Sequence, residues 1–207
     1  DCKPMAALMS NNENESVTSL FDLKNGSHLL SGSSKGTILL WDYMMGALVK
    51  KYFVHTSSIN NFSMYNSNNS VVTSSIDGLL TFWNVTREIR ENDFEVVNLI
   101  NTKKLPMDVP ITCIGSLLSF EQGIIVCDGN GKITMIDNLK YRVRAQLDIG
   151  EESILDFLTL EGNSGISKEK EGIIIGFTKS RMLVIDIKTF EILRVFNSNN
   201  SSLGIHL

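Results

Sequence analysis

The sequence has few of the residues that most often bind metals or form cross-links. Its 207 residues include three cysteines and three histidines, and no two cysteines have the spacing of zinc ligands. An odd number of widely separated cysteines does not make a disulfide framework. We therefore interpret them as reduced thiols, which favours an intracellular protein, cytoplasmic or nuclear. We expect neither a metal site nor a cofactor.

An excess of positive charge and a long apolar run are also lacking. The 19 Lys and Arg residues are outnumbered by 23 Asp and Glu residues, so the formal net charge is −4 at pH 7. A general nucleic-acid-binding protein usually shows a basic excess, and we expect no direct nucleic-acid partner here. No apolar run approaches the roughly 20 residues that cross a bilayer. The hydrophobic content of 43% nevertheless suffices for a globular core.

The sequence does contain a long series of short β-type runs separated by Gly, Asn, Ser and Asp. In the first such group, the turns at Asn25-Gly26 and Lys35-Gly36 separate strands within residues 17–54. The order of strands and turns then recurs, which predicts a repeat protein built from four-stranded meanders. We place four units at about residues 15–54, 55–100, 110–148 and 152–197.

Each unit closes its third strand with an apolar or aromatic residue followed by Asp or Asn. The four pairs are Trp41-Asp42, Trp83-Asn84, Ile136-Asp137 and Ile185-Asp186. Two polar, charged insertions, at about 91–108 and 161–171, lengthen the intervals between later pairs. We predict that both are surface loops. The stretch 85–92 is compatible with a helical turn or two.

These features resemble the WD40-repeat family, in which each repeat of roughly 40–45 residues forms one four-stranded propeller blade. In the second unit, four residues stand where that family places a structural hydrogen-bonding set: His55, Ser75, Asp77 and Trp83. The resemblance implies that Asp77 accepts from the imidazole, and that a hydroxyl joins the imidazole to the indole N–H. Thr73 lies on the same strand face as Ser75, so either hydroxyl could fill that role.

The other units keep only part of this set. Lys35 and Lys179 stand at the Asp position of the first and fourth units, and neither unit has the His. The third unit keeps Asp128 but has Ile136 in place of the Trp. The resemblance is therefore stronger for the first two units than for the last two.

The resemblance implies an all-β, WD40-type β-propeller. Four units plus strand-like ends at 4–9 and 202–207 amount to four or five blades, whereas a WD40 ring usually has seven, since each exposed sheet edge must be covered. We expect this chain to be part of a seven-bladed ring whose remaining blades come from the same or another chain. A closed ring of four or five blades is the alternative.

The resemblance implies a non-catalytic scaffold for protein–protein interaction, a subunit or domain of a stable multiprotein complex. The alternative is a hydrolase-like enzyme on a propeller scaffold with an axial active site, for which His55 and Asp77 would be an acid–base pair. The repeat context favours the structural role for that pair. The carboxylates of Asp42, Asp137 and Asp186 recur with the repeat, so we interpret them as turn residues rather than a converging active site.

The insertions are the features most specific to this chain, and a solvated loop without a partner is the competing interpretation of each. Within the first insertion, Lys103 and Lys104 precede Pro106. We take these two lysines as candidate contacts with a protein partner.

Overall fold

A computed structural model describes residues 15–65, 69–90, 94–117, 123–150, 152–163 and 170–197. Within these ranges the chain forms sixteen strands arranged in four four-stranded sheets. In each sheet the strands follow chain order, and the strand pairs whose register is described are antiparallel. The all-β prediction of four-stranded units is confirmed. The strand-like ends expected at 4–9 and 202–207 lie outside the described residues.

The strands are numbered in chain order, four to a sheet. The first sheet contains β1 (Val17–Asp22), β2 (His28–Ser33), β3 (Thr37–Asp42) and β4 (Ala47–Phe53). The second contains β5 (Ile59–Tyr65), β6 (Ser70–Ser75), β7 (Leu79–Arg90) and β8 (Phe94–Pro106). The third contains β9 (Ile111–Ser116), β10 (Gly123–Asp128), β11 (Lys132–Asp137) and β12 (Arg142–Asp148). The fourth contains β13 (Asp156–Asn163), β14 (Lys170–Phe177), β15 (Arg181–Asp186) and β16 (Ile192–Asn197).

The two central strands of the first sheet are covered on both faces, whereas its outer strands are not. Strand β3 reads Thr-Ile-Leu-Leu-Trp-Asp, and its first five residues are buried without alternation. A continuous apolar run of this kind is what a strand needs when both faces of its sheet pack against other groups. In β4, by contrast, every residue is exposed or only half-buried.

In three of the four sheets the third strand ends in the same turn. An Asp side chain accepts backbone N–H groups two or three residues further on, which is the behaviour of an Asx turn. The pairs are Asp42 with Met45 (2.9 Å), Asp137 with Leu139 (2.8 Å) and Lys140 (2.9 Å), and Asp186 with Lys188 and Thr189 (2.7 Å each). The residue four places after the Asp has positive φ in each case: Gly46, Tyr141 and Phe190.

The second sheet departs from this pattern at Asn84. Strand β7 does not end there but continues to Arg90, and it pairs along its whole length with β8. The prediction of a surface loop at 91–108 is therefore wrong for Phe94–Pro106, and so is the helical turn proposed within 85–92, at least as far as Arg90. Val97 and Leu99 alternate with more exposed neighbours and pack beside Val85, so the stretch has a strand period that its polar residues obscure.

The second predicted insertion, 161–171, is partly strand. Residues 161–163 end β13 and residues 170–171 begin β14, and the two segments pair with each other. The loop prediction is wrong for these five positions, because cross-strand pairing extends further than the polar sequence suggested. Residues 164–169 lie outside the described part of the chain.

The chain divides into two compact units, Asp1–Ile114 and Gly115–Leu207. In the first unit, one apolar cluster joins the first two sheets. Its buried members are Leu23, Leu30, Ile38, Leu40, Ile59, Phe62, Val71, Trp83, Val85, Val97 and Leu99. Residues of both sheets interdigitate in this cluster, so each sheet covers a face of the other.

The second unit depends on a close approach at Gly115. A Cβ atom at that position would lie 2.8 Å from the ring of Phe157. The missing side chain therefore provides the space into which Phe157 packs. Cys113 and Cys127, in strands β9 and β10, are both buried.

Candidate functional site

His55 lies on the short connection between β4 and β5, where the turn after β2 fixes the backbone. The backbone N–H of His55 donates to the carbonyl of Gly36 at 3.0 Å. Gly36 has a φ of 80°, and a Cβ atom there would lie 2.3 Å from the carbonyl oxygen of His55. Only glycine accommodates both this conformation and this approach. The turn of the first sheet therefore positions the imidazole against the second sheet.

The imidazole joins two hydrogen-bonding partners on the second sheet. Its Nδ1 atom lies 3.2 and 3.1 Å from the two carboxylate oxygens of Asp77, and its Nε2 atom lies 3.0 Å from Oγ1 of Thr73. Nε1 of Trp83 donates to the same Thr73 oxygen at 3.3 Å. The four side chains thus form one chain of contacts that runs from carboxylate to indole.

Burial determines the protonation state of this network. Burial lowers the pKa of His55 below its usual 6.5, outweighing the nearby Asp77 carboxylate, which raises it. The ring is therefore neutral at pH 7. Since a carboxylate only accepts, Nδ1 carries the proton and donates to Asp77, and Nε2 accepts from the Thr73 hydroxyl. That leaves a lone pair of the Thr73 oxygen for the indole N–H.

The Asp77 carboxylate is held in its charged form. Burial raises the pKa of Asp77, but the backbone N–H groups of Thr56 and Leu79 and the His55 ring outweigh it, and the net pKa lies below 3.8. These donors lie at 2.9 Å (Thr56) and 3.0 Å (Leu79). The carboxylate therefore ties the connection between the sheets to its own turn. The polar atoms of His55 and Asp77 are thus engaged in internal hydrogen bonds, as a structural role requires.

A groove opens beside this network in the first unit, between strand β4 and the β7–β8 hairpin. Its volume is about 330 Å³, and its lining residues are Tyr52, Phe53, Val54, Trp83, Leu99, Asn101 and Lys104. The structure places one of the two candidate lysines, Lys104, in this lining, where Nζ lies 3.4 Å from the Val54 carbonyl. Lys103 is exposed and is not among the lining residues.

The family model described as "WD domain, G-beta repeat" matches residues 3–42 and 46–84. These segments contain both Trp residues and the network of His55, Thr73, Asp77 and Trp83 described above. Residues 3–84 thus contain two segments that are similar to WD40 repeats.

Two curated proteins are similar to this chain. It is 30% identical over 116 residues to "U3 small nucleolar RNA-associated protein 21" of Saccharomyces cerevisiae, which covers 56% of the chain and 11% of that protein. It is 29% identical over 85 residues to "Protein ROOT INITIATION DEFECTIVE 3" of Arabidopsis thaliana, covering 41% of the chain and 17% of that protein. The chain thus spans less than a fifth of the length of either relative.

Solved structures share the fold. The structure titled "Crystal Structure of Mitotic Checkpoint Complex" superposes with a TM-score of 0.66 at 9% identity, covering 94% of this chain and 55% of that one. "Structure of U3-55K" superposes with a TM-score of 0.67 at 11% identity, covering 90% of this chain and 53% of that one. At such identities the likeness shows the fold alone, a WD40-type β-propeller.

The structure corrects one member of the predicted hydrogen-bonding set. Ser75 does not bridge imidazole and indole; Thr73 does. The hydroxyl of Ser75 donates to the Ser57 carbonyl at 3.2 Å and accepts the backbone N–H of Asp77 at 3.1 Å. The reason is the register of the sheet, in which Val71 pairs with Trp83. The indole therefore reaches diagonally to Thr73, two residues along from its direct neighbour.

Ser75 instead occupies a position that recurs in all four repeats. At that position a side-chain oxygen accepts backbone N–H groups of the turn between the second and third strands. The four residues are Ser33, Ser75, Asp128 and Thr178. Asp128 therefore matches Ser75 and not Asp77, contrary to our interpretation of the third unit.

The first repeat contains a sequence signal that could have identified Thr73. Nε1 of Trp41 donates to Oγ of Ser31 at 2.9 Å, and that Ser–Trp interval is the same as the interval from Thr73 to Trp83. In the third repeat the corresponding positions are Val126 and Ile136, both buried. Hydroxyl and indole are thus present together or replaced together by apolar side chains, as expected when each satisfies the other.

Asn84 differs in role from the other repeat markers. It accepts a hydrogen bond from Ser70 at 3.4 Å within the sheet, whereas Asp42, Asp137 and Asp186 hold turns. Arg144 adds an ion pair to Asp137 at 3.2 Å. Within the part of the chain that the structure describes, no helix is long and apolar enough to span a bilayer.

Proposed function

We propose that this chain is a non-catalytic scaffold, part of a propeller that serves as a subunit or domain of a stable multiprotein complex. The observation that carries the proposal is an apolar sheet face left open to solvent in the fourth sheet. The similar proteins support the general class of the proposal and no specific partner, because the chain spans only a small part of their length.

The open face lies on one side of the fourth sheet and includes two cross-strand rows, with Leu160, which pairs with Ile173, beside them. Leu158 pairs with Ile175, which pairs in turn with Val184. The neighbouring row contains Phe177 and Phe196, joined through Met182. The most exposed members are Leu158 (53%), Leu160 (47%), Phe196 (44%) and Phe177 (41%). Contiguous exposed apolar surface of this kind marks an interaction site.

The first sheet shows what covers such a face. Its corresponding row contains Phe21, Leu30 and Leu40, paired in the same register. Leu30 and Leu40 are completely buried, because the second sheet packs against them. Burying one such side chain contributes about 1.5–3 kcal/mol. We therefore infer that a further blade, from the same or another chain, covers the fourth sheet.

The protein's place in the cell follows from the same proposal. One similar protein is named for its association with a small nucleolar RNA, which supports the nucleus as the site of assembly, with the cytoplasm as the other intracellular compartment. We infer that this scaffold binds protein partners rather than a cofactor or a nucleic acid.

Native purification of the full-length parent protein tests the proposal. The tagged protein is purified from the cells that naturally produce it, and mass spectrometry quantifies the co-purifying proteins before and after a high-salt wash. We expect companions at fixed stoichiometry that resist the wash, because apolar contacts are little weakened by salt. A parent protein that purifies as a compact monomer without companions would refute the scaffold proposal.

A further inference from the structure

The groove beside strand β4 has the composition of a peptide-binding site. It lies between β4 of the first sheet and β8 of the second, each the last strand of its sheet. Tyr52 and Trp83 meet edge to face with ring centroids 6.0 Å apart. The Tyr52 hydroxyl accepts the backbone N–H of Leu99 at 3.0 Å, which fixes the ring. The apolar lining is therefore rigid before any ligand binds.

An exposed aromatic side chain stands at the rim of this groove. Phe53 is 83% exposed, the highest exposed fraction among the large hydrophobic residues that the structure describes. The Lys51 ammonium lies over the Phe53 ring, 5.2 Å from its centroid, and the ring otherwise remains open to solvent. Aromatic residues are enriched among the side chains at protein–protein interfaces. The groove volume of about 330 Å³ accommodates an apolar side chain of a protein partner.

The charge around the groove is positive, although the whole chain is acidic. Among its described lining residues, Lys104 carries the charge and no carboxylate is present. The ammonium of Lys50 lies over the Tyr52 ring, 5.2 Å from its centroid, and donates to Asn98. The carboxylates of Glu15 and Asp77 are engaged by Lys51 at 3.2 Å and by the His55 network.

We propose that this groove binds an extended acidic segment of a partner protein. One apolar side chain of the segment packs in the groove against Tyr52 and Leu99, and flanking carboxylates face Lys104 and Lys50. The inference deepens the proposed function by giving the chemistry of one partner, and it rests on that function for its biological setting.

The strand geometry provides a matched control for the charge. Lys104 pairs with Thr81 and Lys103 with Phe82, so the two neighbouring lysines alternate between the faces of β8. Both are exposed, and either change to Glu alters the net charge by the same amount. Only Lys104 lines the groove. Lys104→Glu and Lys103→Glu therefore differ in position alone.

Fluorine NMR of the chain labelled with 5-fluorotryptophan tests the proposal directly. The two tryptophans give two signals, assigned independently from Trp41→Phe and Trp83→Phe. The probe is a synthetic ten-residue peptide of Asp and Glu with one central Leu. Two control peptides replace the acids by Lys or the Leu by Gly. We expect the acidic Leu peptide to shift the Trp83 signal saturably while the Trp41 signal stays in place.

The lysine variants then separate groove binding from general attraction. Exposed charge pairs contribute modestly, so we expect Lys104→Glu to weaken binding about fivefold or more and Lys103→Glu less than about twofold. Equal weakening by both variants, or no saturable shift up to about 1 mM peptide, would overturn the proposal. Either result leaves the scaffold proposal intact, because native companions are measured separately.

Discussion

Replacing Thr73 by valine removes the hydroxyl that joins the imidazole to the indole while nearly preserving the shape of the side chain. Thr73 is completely buried, and Trp83 and His55 are 4% and 7% exposed. Without the hydroxyl, the indole N–H loses its acceptor and Nε2 of the neutral ring loses its donor. A buried polar group left without a partner costs about 1–3 kcal/mol. Since the two groups share one oxygen, we expect Thr73→Val to lower the free energy of unfolding by about 2–4 kcal/mol.

Thr81 offers a matched control in the same sheet. It pairs directly with Thr73 across β6 and β7, it is also completely buried, and its hydroxyl has no hydrogen-bond partner. Thr81→Val therefore makes the same chemical change without breaking a contact. We expect it to leave the free energy of unfolding unchanged or to raise it slightly, because a buried, unsatisfied hydroxyl is itself unfavourable.

Urea unfolding followed by circular dichroism measures both variants. An unchanged dependence on urea would show that the midpoint shift reports stability. Adding Trp83→Phe to Thr73→Val should cost less than the sum of the single changes, because the indole N–H no longer needs an acceptor. Equal destabilisation by Thr73→Val and Thr81→Val would contradict this expectation, since the network would then contribute nothing beyond the loss of a hydroxyl.

Further predictions concern pH, the open face and the turns. Burial lowers the pKa of His55 in the folded state, so the unfolded chain binds the proton more tightly. The free energy of unfolding should therefore fall as the pH drops below about 6.5. In urea titrations at pH 7.5 and 5.5, His55→Gln should make this dependence on pH weaker. Leu158→Glu should change the free energy of unfolding by less than about 0.5 kcal/mol in the 207-residue chain, where Leu158 is exposed. The same change should cost clearly more in the full-length parent or its complex, where a further blade would cover Leu158. Equal effects in both would contradict a covering blade. Gly46→Ala should cost about 1 kcal/mol, because Gly46 has a φ of 67° and an open surrounding. The control Gly123→Ala, whose Cβ would make ordinary contacts from 3.5 Å, should be nearly neutral in the same thermal or urea assay.

Local chemistry made much of this fold predictable. Short β-type runs, Gly at the turn positions and Asp at the ends of third strands act on their immediate neighbours, so their effects are readable from the sequence. The Asp42, Asp137 and Asp186 turns are examples, because each carboxylate accepts N–H groups only two or three residues away. The candidate network was predictable in part, since His55, Asp77 and Trp83 stand at the positions of a repeat pattern.

Non-local pairing decided the rest. The choice of Thr73 over Ser75 depends on the register between β6 and β7, which sets the residue that the indole reaches. Strand β8 could not be recognised from its polar composition, because its strand form depends on pairing with the extended β7. Register and partner strands join residues far apart in sequence, so no local pattern contains them.

The sequence by itself determined the repeated four-stranded units and the turns that separate them, because each follows from residues close together in the chain. Only the tertiary structure decided which hydroxyl completes the network, which of two adjacent lysines faces the groove and which sheet face stays open. Those outcomes depend on how strands pair and how sheets cover one another. The free energy of such contacts depends on surfaces formed by residues that are far apart in the sequence.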